Sequence, residues 1–451
     1  MYRYEVIAGD IQEQILTKKL PAKEKLPSVR ELAKELSCSI GTVIKAYELL
    51  KERRLIHQKK HSGFFVSENL LLLKNYDDQS SFLLDSGNPT SELFASLELF
   101  SNFEAAGQLY RTVSRNIPMR GNDSLIEYLP KFLAEHSVYT SSKDVYLCLG
   151  ILHAFTILAE MPFPNGRGTI LIEEPTYNYV VEYLRKEKYA VATIPRSKKG
   201  LDLARLEEIF KTKEIKFFYI VPRNHNPYGN YLTFQQRKKI MMLAKKYDVY
   251  IVEDDYMGGY DGLIKYEPLF YHSKFSHCLY LQSFAKTLPM IRIGFIILPT
   301  QLRKVFHEAM RANYYTTYYS PSLLSQSILE NYLRSSAYEF HRQMFIEKTQ
   351  KKLRKIERIT RHWVQDKFEY YPAKSGFYST ISLDSRISLE NLITNLAERK
   401  VYVRTNESSF YYPENFDNSF RLSNARLEYE EITTSYQIIY EELQKAVKGL
   451  K

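Results

Sequence analysis

The chain has 451 residues, too many for one ordinary domain, and its 44% hydrophobic content supports a sizeable core and argues against disorder. A formal net charge of +11 favours a polyanionic partner, while no run approaches the roughly 18–20 apolar residues of a membrane span, so no membrane partner is expected. The start, MYRYEVIAGD, lacks a secretory pattern, and the widely spaced Cys38, Cys148 and Cys278 suit a reducing compartment, so a cytoplasmic location is expected.

Residues 1–69 read as a separate unit. Ile7, Ile11, Ile15 and Leu20 recur at helical spacing from Tyr4 to Leu20, and Pro21 stops the run. In LPSVRELAKEL (26–36), Ser28 followed three residues later by Glu31 predicts a capping box. SCS (37–39) reads as a turn, and SIGTVIKAYELLKERRLI (39–56) as a second amphipathic helix. Two short helices joined by a tight turn make a helix-turn-helix. HQKKHSGFFV (57–66) reads as a wing hairpin. The second helix would enter the major groove with Ser39, Gly41 and Thr42 at its N-terminal end and Lys45 one turn later. Arg30, Lys59 and Lys60 would neutralise phosphates, and Gly63 would let the wing approach the DNA backbone. Singly, each basic residue fits the solvated face of a helical bundle better; the pattern as a whole carries the reading. LPSxRELA, SxxTVxxAYxxL and the SGxFV wing resemble the GntR-type winged-helix DNA-binding domain. Ile40 departs from that pattern, standing where the family usually has arginine.

Residues 70–84 are expected to be a linker. Beyond it, short apolar runs alternate with helical stretches. VYLCLG (145–150), TILIEEP (169–175), FFYIVP (217–222), VYIVEDD (249–255), LYLQSF (279–284) and IRIGFIILP (291–299) read as strands. LTFQQRKKIMMLAKKYD (232–248) reads as a helix with a Thr233–Gln236 capping box. Alternation of this kind predicts an α/β layer with a mostly parallel sheet, and ligands then bind beyond the carboxyl ends of its strands. Gly150, Tyr177, Asn226, Asp254, Tyr256, Ser283 and Lys286 all stand just after strands.

In SFAKTLPMIRIG (283–294), Lys286 lies among apolar residues with Arg292 six positions on. A desolvated lysine near a second cation has a lowered pKa, and its neutral amine can attack a carbonyl. Pyridoxal phosphate offers that carbonyl, a phosphate, and a pyridine nitrogen that a buried carboxylate keeps protonated. Asp254 suits the nitrogen, and Ser283, Arg292 and the helix start at Gly150 suit the phosphate. Tyr177 suits stacking, and Asn226 and Tyr256 suit the ring hydroxyl. Taken alone, such a lysine is more often a surface residue, an NPxG more often a turn, and EDDY equally an acidic loop or a metal site. No metal centre is expected.

The order EPTY, HNPYG, EDDY, SFAKTLPMIRIG resembles the fold type I, class I/II aminotransferase family over residues 85–451. The resemblance implies pyridoxal phosphate, with Lys286 as its internal-aldimine lysine, Asp254 as pyridinium partner, Asn226 and Tyr256 on the ring hydroxyl, Tyr177 stacked, and Ser283 and Arg292 on phosphate. FRLSNARL (420–427) resembles the segment that supplies an arginine for a substrate carboxylate, which points to Arg421 ahead of Arg426. Two departures stand out. The Lys286–Arg292 gap is six residues where relatives more often show seven, and Ile151 and Leu152 follow Gly150 where hydroxyl or amide side chains are usual. His153 is expected to be structural.

The two halves together resemble the MocR/GabR-type transcriptional regulators. The implied fold is an N-terminal winged helix-turn-helix (1–69), a linker (70–84), a large mostly parallel α/β domain (85–330) and a smaller C-terminal α+β domain (331–451). The implied partners are double-stranded promoter DNA, a second copy in a head-to-tail homodimer, and an amino-acid-like effector or pyridoxal phosphate itself. The alternative is a working aminotransferase with a DNA-binding appendage.

Overall fold

The computed structural model describes residues 3–16, 19–21, 23–52, 55–59, 62–67, 81–89, 119–260, 262, 266–288, 291–317 and 320–450.

The head has helices Arg3–Leu16, Val29–Glu35 and Ile40–Glu52, followed by β1 (Ile56–Lys59) and β2 (Gly63–Val66), which pair antiparallel. The first helix ends at Leu16, short of the expected Leu20; Leu20 lies outside it, half-buried against the head's core. The Ser28–Glu31 capping box forms as the spacing predicts, satisfying amides that a helix start leaves without partners. The second predicted helix stops at Glu52 because Leu55 and Ile56 turn into the wing. Ile7, Ile11, Leu32, Val43, Ala46, Tyr47 and Leu50 close one small core.

The expected linker residues 68–80 lie outside the described residues. The linker's end is structured. Phe82–Leu83 is β3, paired parallel with β14 (Val401–Tyr402), and the Leu84 carbonyl accepts from Ser423 N at 2.9 Å. Leu84 is fully buried in the core of the C-terminal unit.

The large sheet has eight strands. In chain order they are β4 (Val145–Cys148), β5 (Thr169–Glu174), β6 (Val191–Ser197), β7 (Gly200–Leu201), β8 (Ile215–Ile220), β9 (Tyr250–Asp254), β10 (Cys278–Ser283) and β11 (Gly294–Ile297). Their spatial order is β4-β11-β10-β9-β8-β5-β6-β7. Six run parallel; β11 and the two-residue β7 are antiparallel to their neighbours. Strands such as Ile215–Ile220 are buried at every position because helices cover both faces. This topology brings the carboxyl ends of β4, β5, β8, β9 and β10, and the start of β11, to one edge.

The C-terminal unit packs helices Ser336–Thr360, Leu389–Glu398 and Glu431–Lys448 on a four-stranded sheet, order β12 (Phe368–Tyr371), β13 (Tyr378–Leu383), β16 (Ser419–Ser423), β15 (Arg404–Thr405). No helix among the described residues is long and apolar enough to cross a membrane.

Candidate functional site

A cavity of about 900 Å³ opens at the ligand-facing edge of the large sheet and extends to β15 and β16. Gly150, Tyr177, Asn226, Asp254, Tyr256, Ser283, Lys286, Arg292 and Arg421 all line it. They come from segments as far apart as residues 150 and 421: most follow or end strands of the large sheet, Arg292 precedes β11, and Arg421 reaches in from the middle of β16.

Asp254 ends β9 and is buried. Its Oδ2 accepts from Tyr219 Oη at 2.5 Å, whereas its Oδ1 is buried with no hydrogen-bond partner among the described residues. Burial pushes its pKa up to about 7, against the pull of the Tyr219 hydrogen bond. An orphaned carboxylate oxygen on a cavity wall calls for a donor from the occupant, and a protonated ring nitrogen is such a donor.

Lys286 is half-buried rather than sealed, because it sits on the turn after β10, and its Nζ donates to Asn88 Oδ1 at 2.8 Å. Ser283 Oγ accepts from Ala285 N at 3.1 Å. Ser283, Gly294 and Cys148 lie in one register across β10, β11 and β4. Gly150, at φ 131, starts the helix Ile151–Glu160 with no side-chain cap, so the first-turn amides are left for a ligand. Arg292 holds φ 43, a backbone region that favours glycine, at the mouth of the same edge. An uncapped helix start beside a hydroxyl and a guanidinium matches a phosphate.

His153 is neutral at ordinary pH, since burial lowers its pKa to about 4, and its Nδ1 accepts from Leu149 N at 3.3 Å. It holds the Leu149 amide and lines the same cavity.

Arg421 is buried. Its Nη1 donates to Asn226 Oδ1 at 2.8 Å, its Nη2 to the Asp85 carbonyl at 2.7 Å, and its guanidinium lies 4.6 Å from the Tyr378 ring centre. Because guanidinium only donates, this bond fixes the Asn226 amide with its Nδ2 left over for another acceptor. Tyr256 Oη already donates to the Asn224 carbonyl at 2.7 Å, so toward a ring hydroxyl it is an acceptor. Tyr177 caps the helix Asn178–Lys186, and burial, then the nearby Asp254, holds its phenol protonated. Arg426 lies at the rim, where its Nε donates to the Asn88 carbonyl at 3.1 Å.

Sequence reading missed Tyr219, Tyr378, Arg404, and the segment Asp85–Asn88. The one available signal for Tyr219 was its place on β8, next to the strand that carries Asp254. Asn88 and Lys286 are 198 positions apart, and no local pattern links them.

The five DNA-facing candidates all lie in the head. Arg30, Ser39 and Lys45 are exposed, and Thr42 is half-buried. Ser39 Oγ caps the helix Ile40–Glu52, accepting from Thr42 N at 3.1 Å and meeting Thr42 Oγ1 at 2.8 Å. This pair orders the helix start, where an anion is favoured. Gly63 has φ 105 and opens β2. Ile40 and Ile44 are exposed at 50% and 42% on the same helix as Lys45. Lys60 lies outside the described residues.

Residues 3–66 match the bacterial regulatory proteins of the gntR family, and residues 84–439 match the aminotransferase class I and II family. The HTH-type transcriptional regulator YcxD of Bacillus subtilis is 33% identical over 346 residues, 76% of this chain and 77% of that protein. The 2-aminoadipate transaminase of Thermus thermophilus is 26% identical, covering 81% of this chain and 89% of that protein. In fold, the chain is similar to LysN of Thermus thermophilus, an α-aminoadipate aminotransferase complexed with N-(5'-phosphopyridoxyl)-L-leucine. That match has TM-score 0.72 and 21% identity, covering 82% of this chain and 94% of LysN. Pyrococcus horikoshii kynurenine aminotransferase aligns with TM-score 0.73 and 19% identity, over 86% of this chain and 97% of that one. With an aminotransferase body over most of its sequence, a gntR-type head, and a relative that is itself an HTH-type transcriptional regulator, the chain belongs to the class I and II aminotransferase family and is a gntR-type transcriptional regulator of the MocR/GabR kind.

Proposed function

We propose that the protein is a pyridoxal-phosphate-dependent transcriptional regulator that binds promoter DNA through its winged head and reads an amino compound in the cavity of its body. The observation that carries the coupling is the segment Asp85–Asn88. Asn88 bonds Lys286, and Asp85 bonds Arg421, while only residues 67–84 separate this segment from the end of the head at Val66. A ligand that engages Lys286 and Arg421 competes for groups this segment now holds, and the chain leads from there to the DNA-binding unit.

Bound in the cavity, pyridoxal phosphate supplies an aldehyde that takes up primary amines and a ring nitrogen that draws electrons when protonated. Lys286 presents the amine that holds the cofactor. Asp254 keeps the ring-nitrogen proton in place, and Tyr219 fixes the orientation of that carboxylate. Asn226 Nδ2 and Tyr256 Oη address the ring hydroxyl, and Tyr177 covers the ring. Ser283, Arg292 and the amides after Gly150 hold the phosphate. Arg421 takes the carboxylate of the amino compound. In the head, Arg30, Lys45 and Gly63 meet the DNA backbone, and Ser39 and Thr42 set the end of the helix that reads the major groove. The working unit is a head-to-tail homodimer in the bacterial cytoplasm, since paired heads match paired half-sites.

The test has three parts. The purified protein is expected to be yellow, to retain a fragment of its promoter DNA, and to gain a borohydride-stable cofactor that Lys286→Ala lacks. A cofactor trapped on another lysine in that variant overturns the site. The second reading, an aminotransferase with a DNA-binding appendage, is favoured by the intact Lys286, Asp254 and Arg421. Steady keto-acid release from an amino acid would support it; a spectral change without release supports the sensor.

A further inference from the structure

The cavity wall carries more positive charge than a cofactor and one carboxylate require. Its cations are Lys286, Arg292, Arg404 and Arg421, and its acids are Asp85 and Asp254. Lys286, Arg292 and Asp254 are taken up by the cofactor in the reading above, and Arg421 by a single carboxylate. Arg404 remains.

Its position is specific. Arg404 on β15 is the register partner of Arg421 on β16. Phe420 and Leu422, on either side of Arg421, are fully buried in the core of the C-terminal unit, so Arg421 faces the other way, into the cavity. Directly opposed residues of an antiparallel pair share a face, with Cβ atoms roughly 5 Å apart. The two arginines therefore stand side by side on one cavity wall.

Like charges in that arrangement destabilise a sheet. Among the described residues, neither arginine forms an ion pair, although Asp85 and Asp254 line the same cavity. The partners of Arg421 are an amide oxygen, a carbonyl and an aromatic face, all neutral, and its Nε is buried without a partner. The exposed Arg404 side chain makes no hydrogen bond or ion pair with any described residue. Two adjacent guanidinium forks without a counter-ion match two carboxylates, each fork suited to bidentate contact.

We propose that Arg404 and Arg421 together select an amino acid with a second carboxylate, Arg421 taking the carboxylate next to the amine and Arg404 the one at the end of the side chain. This rests on the reading of the cavity as an amino-acid site.

The test is a titration of the cofactor absorbance of the full-length, cofactor-loaded protein. L-glutamate and L-2-aminoadipate are compared with the uncharged L-glutamine and L-norleucine. The acidic pair is expected to reach half-maximal change at about tenfold lower concentration, the worth of roughly one charge-assisted pair. In Arg404→Gln that ratio is expected to fall to near one, and Arg404→Lys, which keeps the charge without the fork, is expected to restore part of it. Melting curves of both variants show that they are folded. Equal titration of acidic and neutral amino acids by the unaltered protein overturns the proposal, as does a ratio that survives in Arg404→Gln. If no amino acid of either class moves an intact cofactor band, the amino-acid reading itself fails and the two-arginine proposal falls with it.

Discussion

At Asp254 a carboxylate is walled off from water, with one oxygen held by Tyr219 and the other without a hydrogen-bond partner among the described residues. Its folded pKa, raised to about 7 by burial, exceeds the value of 3.8 expected in the unfolded chain. The sign of the linkage follows. Its contribution is fully present below the unfolded value and is lost as pH rises toward and through about 7. In the cofactor-free protein, Asp254→Asn is therefore expected to raise the melting temperature relative to wild type more at pH 8 than at pH 5. A relative melting temperature that does not change with pH would remove Asp254 as the strained group. In the proposed site a ring-nitrogen proton offsets that strain when the cofactor is bound, and the same substitution is expected to leave the cofactor bound while weakening its reaction with amines. Asp254 was legible in the sequence because it closes a strand whose apolar run marks it, and Lys286 because it stands on the turn just after one. Tyr219 and Arg404 were not, since their roles come from a neighbour across the sheet, and register between strands is not written in either strand alone.

In the proposed coupling, the helix Ile40–Glu52 and the segment Asp85–Asn88 are the elements through which the two halves act. On the helix, Val43, Ala46, Tyr47 and Leu50 are buried, which leaves Ile40, Gly41, Ile44 and Lys45 outward. The helix-turn-helix pattern was legible from its apolar spacing and capping box, although the first helix is one turn shorter than its pattern suggested. Arg30→Ala is expected to lower the slope of log affinity against log salt by about 0.9 without changing sequence preference, since one phosphate contact is lost. Ile44→Ala is expected instead to lower affinity for sites that carry thymine at one position. A scan of operator variants at several salt concentrations separates the two. In the other segment, Gly87 lies against Tyr378, and a Cβ added there would overlap the tyrosine hydroxyl. Gly87→Ala is expected to cost about 1–3 kcal/mol of stability, as overpacking does, and to blunt the response to amino acids. Thermal melts and the cofactor band check both parts. Residues 85–88 were read from sequence as the start of the large domain, directly after a linker at 70–84. The strand Phe82–Leu83 in that expected linker is too short to stand out as a periodic pattern and pairs with the edge that Val401–Tyr402 offers.

Across the whole molecule, the alternation of strands and helices was enough to indicate a large parallel sheet, and strand-end positions were enough to assemble most of the cavity. The antiparallel β11 was legible as a strand, yet its direction follows from the tight return through Ile291 and Arg292 rather than from its composition. The sheet of the C-terminal unit, whose strands are short and interrupted, was largely invisible. The central claim is that occupancy of the body's cavity is felt at the DNA. The most direct measurement is the affinity of the full-length, cofactor-loaded protein for a labelled promoter fragment, with and without a saturating amino acid, in wild type and in Lys286→Ala. Wild type is expected to shift by about fivefold or more, the lower range of ordinary coupling between sites, and Lys286→Ala is expected not to shift. An equal response in both proteins, or none in wild type, would contradict the account.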